Sequence, residues 1–195
     1  MNKLKKLMLD ISHCNEIKQA LENSNHPCYE IVNYQKHDFK KFQNPEPWNG
    51  NIEKADILFI GLNPSYNPNE EYPTASWDNE KIYNYHKNRF SDEHYKKNKN
   101  KVLFWQKSRK SASWILNIPL DDITLENHFC ITEMIHCKSP KQIGVSMKAC
   151  NKCVEKWMNK ILKEFKGRYI VVFGKITKEF FEKSVSEDEY IISIK

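Results

Sequence analysis

The sequence has no long hydrophobic run. None of its apolar stretches approaches the ~20 residues that a membrane-spanning helix needs, which excludes a helical membrane protein. Residues 1–11 are basic but contain neither a continuous apolar segment nor a small-residue cleavage site. We therefore expect no secretory signal and a cytoplasmic protein. Internal repeats are lacking too, and low complexity is confined to the lysine- and asparagine-rich stretch 96–101.

The composition is that of an ordinary globular protein. The chain has 195 residues, of which 39% are hydrophobic and 29% charged, and this is enough for one sizeable core. We expect a single domain over residues 1–195, in which residues 1–50 form an N-terminal extension of helix and loop that contributes cysteines. The net charge of +6 indicates, weakly, an anionic partner such as nucleic acid.

Apolar periodicity predicts an alternation of helices and strands. Helical spacing indicates helices over residues 3–22, 77–90, 104–116, 150–167 and 176–183. Short apolar runs without that spacing predict strands at 56–61, 128–132, 169–173 and 190–194. Because strands that alternate with helices are typical of a parallel sheet with helices on both faces, we expect an α/β fold on a mainly parallel four-stranded sheet.

The stretch from Ile57 to Ser65 predicts a ligand site. Its apolar run ends in Gly61-Leu62-Asn63-Pro64-Ser65, and a glycine followed by an Asn-Pro dipeptide forces a tight loop. Ligands of open α/β sheets bind at the carboxyl ends of the strands, so this amide and hydroxyl are well placed to hold one. The alternative is that Asn63-Pro64 is only a turn.

Six cysteines in a chain expected to be cytoplasmic favour metal binding, a cluster or plain burial over disulfides. Cys14 falls on the apolar face of the first predicted helix, where a buried structural cysteine is the usual finding. Cys130 lies inside a predicted strand, and we expect it to belong to the core.

Taken in order, these pieces resemble the uracil-DNA glycosylase superfamily. Gly61-Leu62-Asn63-Pro64-Ser65 is similar to its first motif in the Gly-x-Asn-Pro form. The stretch 131–140, Ile-Thr-Glu-Met-Ile-His-Cys-Lys-Ser-Pro, resembles the strand and loop of the iron–sulfur (family 4) branch, in which a ligand cysteine follows. Cys153 matches the next ligand cysteine of that branch, and residues 171–174 match its next strand-to-helix turn. The similarity covers roughly residues 45–180.

The resemblance implies a three-layer α/β/α sandwich and a DNA glycosylase, which hydrolyses the N-glycosidic bond of a flipped, deaminated or damaged base without a catalytic cofactor. Asn63 corresponds to the residue that positions the attacking water. The residues expected to bind the base are Gly61, Leu62, Ser65, Tyr72 and Glu133. A packed core tyrosine is the alternative for Tyr72.

Glu133 departs from the family, which has an asparagine that reads the uracil edge. A carboxylate only accepts hydrogen bonds, whereas an amide both donates and accepts. Either the base differs, with an exocyclic amine the obvious candidate, or Glu133 has a raised pKa, or it has another role. A solvated or salt-bridged glutamate is the simplest alternative.

The resemblance also implies a structural [4Fe–4S] cluster, which four thiolates ligate. Cys137 and Cys153 match the pattern, and the only cysteines before the first motif, Cys14 and Cys28, complete the set. Cys150 is the reserve ligand. Zinc and free thiols remain alternatives.

DNA is the expected partner, with the protein a monomer by default. Lys107 and Arg109 on a predicted helix are candidates for phosphate contacts, although a solvated helix face is the commoner explanation, and Lys138 and Ser139 are candidates on the loop. The late His-Pro-Ser-like motif of the family has no counterpart here. A catalytically inactive nucleic-acid-binding module of the same fold is therefore the alternative function. A zinc-stapled α/β hydrolase or nucleotide-binding protein is a third, weaker interpretation.

Overall fold

The computed structural model describes residues 2–35, 41–89 and 103–184, and within them the chain forms one four-stranded sheet with helices packed on it. The strands are β1 (Trp48–Asn49), β2 (Ile57–Gly61), β3 (Phe129–Glu133) and β4 (Tyr169–Val172), in the spatial order β1-β3-β2-β4. β2 runs parallel to β3 and β4, whereas β1 pairs antiparallel with β3. The expected α/β fold with a mainly parallel four-stranded sheet is confirmed.

The edge strand β1 comes from a segment that its sequence does not mark as a strand. It has two residues, too few for any alternation of apolar and polar positions, and Pro45 and Pro47 precede it. Its place in the sheet is set by pairing with β3, where Trp48 lies opposite Thr132. The strand predicted at 190–194 lies outside the described residues.

The helices largely follow the predicted positions. They are α1 (Lys3–Ser12), α2 (Glu16–Glu22), α3 (Tyr29–Asn33), α4 (Asn79–Asn88), α5 (Leu103–Leu116), α6 (Met147–Cys153), α7 (Asn159–Glu164) and α8 (Lys175–Ser184), with a π-helical turn over Val154–Met158. Within the described part of the chain, no helix has both the length and the apolar character needed to cross a membrane.

The helix predicted over residues 3–22 is two helices. The four residues at the break, 12–15, are Ser, His, Cys and Asn, all weak helix formers. α1 therefore ends at Ser12, and Cys14 lies in the turn before α2. Because of this break, Cys14 does not lie on the face of one continuous helix.

Two apolar clusters lie on opposite sides of the sheet. Side chains of a strand alternate between faces, and in β2 Leu58 and Ile60 join one cluster while Ile57 and Phe59 join the other. The first cluster includes residues of α1, α2, α3 and α6, and the second includes residues of α5. Since β2 is buried on both faces, it is apolar throughout rather than alternating.

The parallel pairing of β2 and β3 brings the loops that follow them side by side. Gly61 is the partner of Glu133 at the ends of the two strands. Beyond them, Ile135 N donates to Leu62 O at 3.0 Å and Ser139 N donates to Pro64 O at 3.2 Å. The loop predicted to hold a ligand is thus fixed along its length by the loop after β3.

Candidate active site

A cavity of about 920 Å³ lies at the carboxyl ends of the strands. Four of the residues predicted to bind a base, together with Asn63, line it: Gly61, Leu62, Ser65 and Glu133. They come from the ends of two neighbouring parallel strands, which is where the topology of an α/β sheet places ligands. The residues predicted to form a site at this edge therefore lie around one cavity.

The Asn63 side chain is held in one orientation. Its Nδ2 donates to Ser139 Oγ at 3.0 Å, to Pro64 O at 3.2 Å and, more weakly, to Cys137 O at 3.4 Å. Backbone carbonyls can only accept hydrogen bonds, so the atom that faces them must be the NH₂ group and not the oxygen. Asn63 Oδ1 is consequently left buried, with no hydrogen-bond partner among the described residues.

Glu133 lies against the backbone of Gly61. A Cβ atom added to Gly61 would come within 2.0 Å of Glu133 Oε2, so the absence of a side chain at position 61 makes room for the carboxyl group. Burial raises the pKa of Glu133 well above its ordinary value, and the like charge of Glu46 acts in the same direction. Of the three interpretations of Glu133 given from the sequence, its surroundings favour a raised pKa.

One wall of the cavity contains a buried carboxylate, Glu46. Arg89 Nη1 donates to it at 2.6 Å, Tyr72 Oη at 3.0 Å and Asn49 Nδ2 at 2.5 Å. Burial alone would raise the pKa of Glu46, but the positive charges of Arg89 and Lys138 outweigh it and lower the pKa to about 2. Glu46 is therefore an anion fixed by its neighbours.

Lys138 and Tyr72 belong to the buried network around Glu46 and Glu70, and neither is in the described lining of the cavity. Lys138 is 1% exposed, its Nζ donates to Glu70 Oε2 at 3.1 Å, and it lies 3.4 Å from the centre of the Tyr72 ring. A lysine in that place is an internal ion-pair partner rather than a surface contact for phosphate. Tyr72 is a packed core tyrosine, which is the alternative given for it from the sequence. It is absent from the described lining of the cavity.

Another part of the cavity lining is aromatic, and sequence reasoning did not identify it as part of the site. Phe104, Trp105 and Phe173 line the cavity. Phe173 stacks on Phe59 with 4.9 Å between ring centres and 17° between planes, and Phe104 meets it edge-on at 5.4 Å. Phe173 directly follows β4 and so lies at the carboxyl end of a strand. This position is the one sequence signal that could have identified Phe173 as a site residue. Flat apolar rings of this kind suit a stacked planar ligand.

The two basic residues predicted on α5 differ in position. Arg109 Nε donates to Leu120 O at 3.1 Å and its Nη2 contacts Asp121 O at 3.4 Å, so this guanidinium joins α5 to the turn that follows. Lys107 is exposed. Ser139, the other predicted DNA contact, is buried, and its hydroxyl accepts the hydrogen bond from Asn63. Ser139 thus helps to fix the orientation of the Asn63 side chain.

The predicted cluster ligands meet in a second, smaller cavity. Cys14, Cys28, Cys137 and Cys153 all line it, although they come from four separate segments. Cys130 and Cys150 are also buried but are absent from its described lining. Burial raises the pKa of Cys28 to about 12 and that of Cys14 above its ordinary value. Trp157 Nε1 donates to Cys14 Sγ at 3.4 Å.

This donor set fits an iron–sulfur cluster in number and kind, since four cysteine thiolates are its usual ligands. Among the described residues, no group of three or more His, Cys, Asp or Glu side chains is arranged to hold a single metal ion. The cavity that these four cysteines line has a volume of about 10 Å³, so their side chains would have to move apart to admit a cluster.

No family model and no curated protein matches this chain.

The cavity at the strand ends combines three chemical features. It contains a fixed amide with a free acceptor at Asn63, a carboxyl of raised pKa at Glu133, and the aromatic wall. Such a site can bind a planar heterocycle by stacking and contact its edge with a carboxyl group.

Proposed function

We propose that this protein is a DNA glycosylase of the uracil-DNA glycosylase type, which hydrolyses the N-glycosidic bond of a deaminated or damaged base. The observation that carries the proposal is the unpartnered Oδ1 of Asn63, fixed by three hydrogen bonds from its own amide group to neighbouring acceptors. A buried acceptor without a donor calls for a water molecule or a ligand.

In the proposed mechanism the base leaves the helical stack and enters the cavity, where Phe173 and Phe104 offer stacking surfaces. Asn63 Oδ1 accepts a hydrogen bond from a water molecule and so directs a lone pair of the water oxygen at the sugar carbon. Because an amide is not a base, Asn63 contributes by orientation. The glycosidic C–N bond breaks as the base leaves with the bonding electron pair, the water oxygen bonds to the sugar carbon, and the proton that the water loses neutralises the departing base. The DNA backbone is the anionic partner that the net charge of +6 favours.

We further propose the three-layer α/β/α sandwich of that superfamily, which the two apolar clusters on the faces of the sheet support. Cys14, Cys28, Cys137 and Cys153 would hold a [4Fe–4S] cluster. When bound, the cluster would cross-link four segments of the chain and take no part in hydrolysis.

The test is base release from single- and double-stranded oligonucleotides that contain one uracil or hypoxanthine. We expect release by the wild-type protein and a loss of roughly 100-fold or more in Asn63→Ala, because the water is no longer oriented. Asn67→Ala is the matched control, since Asn67 lines the same cavity but is exposed and outside the Asn63 network. Equal activity in the two variants would remove Asn63 from the mechanism.

A wild-type protein that binds DNA in a salt-dependent way but releases no base would refute the enzymatic proposal. That result would support the alternative function, a nucleic-acid-binding module with the same site.

A further inference from the structure

The outer face of α5 carries an exposed tryptophan. α5 has a buried face formed by residues at helical spacing, Trp105, Ser108 and Ala112, and two of these belong to the second apolar cluster. Trp114 lies away from that face. It is 75% exposed, the highest fraction among the large apolar side chains that the structure describes. Packing in the core therefore does not account for a tryptophan at this position.

Two lysines share the outer face with Trp114. Lys107 and Lys110 precede it by seven and four residues, spacings that place side chains on one side of a helix, and both are exposed. No residue in the described part of the chain forms an ion pair with either lysine or a ring contact with Trp114. Arg109, in contrast, is held by carbonyl groups of the turn after α5. We call Lys107, Lys110 and Trp114 the α5 platform.

The chemistry of the α5 platform fits a single strand of nucleic acid. Lysines bind phosphates as point charges, and an exposed aromatic ring offers a stacking surface to a base of any sequence. An acidic side chain on the same helix would repel phosphates, and none of the 14 residues of α5 is acidic. A base inside a duplex is already stacked on its neighbours, so an unpaired base is the one available to the ring.

α5 also connects the platform to the cavity at the strand ends. Phe104 and Trp105, in the first turn of the helix, line that cavity. Trp114 lies ten residues beyond Phe104, which corresponds to about 15 Å along the helix axis. Because the nucleotides of one strand are spaced by about 3.4 Å or more, this distance is a span of a few nucleotides. A strand with one base in the cavity is therefore long enough to reach Trp114.

We propose that the α5 platform binds single-stranded DNA beside the cavity, with phosphates on Lys107 and Lys110 and one unpaired base stacked on Trp114. The inference takes DNA as the partner from the proposed function, but it requires neither hydrolysis nor a modified base. It adds a preference for unpaired strands that does not depend on the base held in the cavity.

The experiment measures binding of a fluorescein-labelled oligothymidine, which carries no modified base, by fluorescence anisotropy over a range of salt concentrations. We expect Trp114→Ala to weaken binding by roughly 5- to 100-fold with an unchanged salt dependence, because stacking is lost while the charges remain. Trp114→Phe keeps an aromatic face and should retain most of the affinity. On an abasic oligonucleotide of equal length, Trp114→Ala should have no effect because there is no base to stack.

Replacing both lysines tests the phosphate contacts. Lys107→Ala/Lys110→Ala should weaken binding and reduce the slope of log K against log salt by about 1.4, since each phosphate contact on a single strand contributes ~0.7. Lys160→Ala/Lys163→Ala is the matched control, because these lysines are also exposed, have the same spacing on α7 and carry the same charge. The control should leave the slope nearly unchanged. An equal fall in both double variants would reveal a general effect of net charge and overturn the proposal.

Three other results would also overturn it. They are undiminished binding of oligothymidine by Trp114→Ala, an equal loss of affinity for duplex DNA in that variant, and self-association of the protein that Trp114→Ala abolishes while DNA binding persists. The last result would make this face a contact between two copies of the chain. Base release without Trp114-dependent binding would refute this inference alone, and Trp114-dependent binding without base release would refute only the glycosylase proposal.

Discussion

Replacing Arg89 by methionine should destabilise the protein by about 3–5 kcal/mol. Arg89 donates to Glu46 and Glu70, and the Arg89–Glu46 pair is largely excluded from water, with side-chain exposures of 12% and 10%. Removing one partner of a buried ion pair leaves the other charge desolvated and uncompensated, which is the origin of that cost. Methionine keeps most of the stem volume, so the change reports on charge more than on packing.

A second estimate of the magnitude comes from Glu46. Its pKa is lowered from an ordinary 4.5 to about 2, and this difference corresponds to on the order of 3 kcal/mol of stability. Because the folded-state pKa is the lower one, the contribution is fully present above pH 4.5 and is lost as the pH falls towards 2. In Arg89→Met this acid dependence should become shallower.

The assay is urea unfolding followed by far-ultraviolet circular dichroism between pH 7 and pH 3, with linear extrapolation of the free energy. Arg168→Met is the matched control: Arg168 pairs with Asp56 at 3.1 Å, but their side chains are 63% and 36% exposed. An exposed pair contributes about 0–1 kcal/mol. If Arg89→Met lowered the free energy of unfolding no more than Arg168→Met does, the buried ion network around Glu46 described above would be refuted.

Two further predictions concern the other parts of the site. Cys137→Ser, in protein purified without oxygen, should lose iron and the brown visible absorbance. Cys150→Ser should keep both, because Cys150 is absent from the described lining of the cysteine cavity. An unchanged spectrum in Cys137→Ser would refute the ligand assignment. Phe173→Ala should weaken binding of a base-modified oligonucleotide by about 1–3 kcal/mol in fluorescence anisotropy, and an unchanged affinity would show that the base does not stack there.

The predictable part of the site is the part encoded by local patterns. The apolar run of β2 and its Gly-x-Asn-Pro ending indicate a strand and a loop without any knowledge of the rest of the chain. The neighbouring position of Glu133 follows once β2 and β3 are paired in parallel, as the alternation of strands and helices predicts.

The buried charges could not be predicted in the same way. Glu46 and Arg89 are 43 residues apart, in segments whose sequences read as polar loop and helix end, and only tertiary packing brings them together. Lys138 follows a loop cysteine and has the sequence context of a surface residue. Its burial against Tyr72 depends on the path of the loop that holds Glu70, for which no sequence periodicity exists.

The loop after β3 serves both cavities. Cys137 lines the cysteine cavity, while its backbone carbonyl accepts a hydrogen bond from Asn63 Nδ2 in the cavity at the strand ends. Ser139, two residues further on, makes the shortest of the Asn63 contacts. Under the proposed function, a change at Cys137 that shifts this loop would also shift the acceptors of the Asn63 amide, so the chemical state of the cysteines would affect hydrolysis without any of them touching the base.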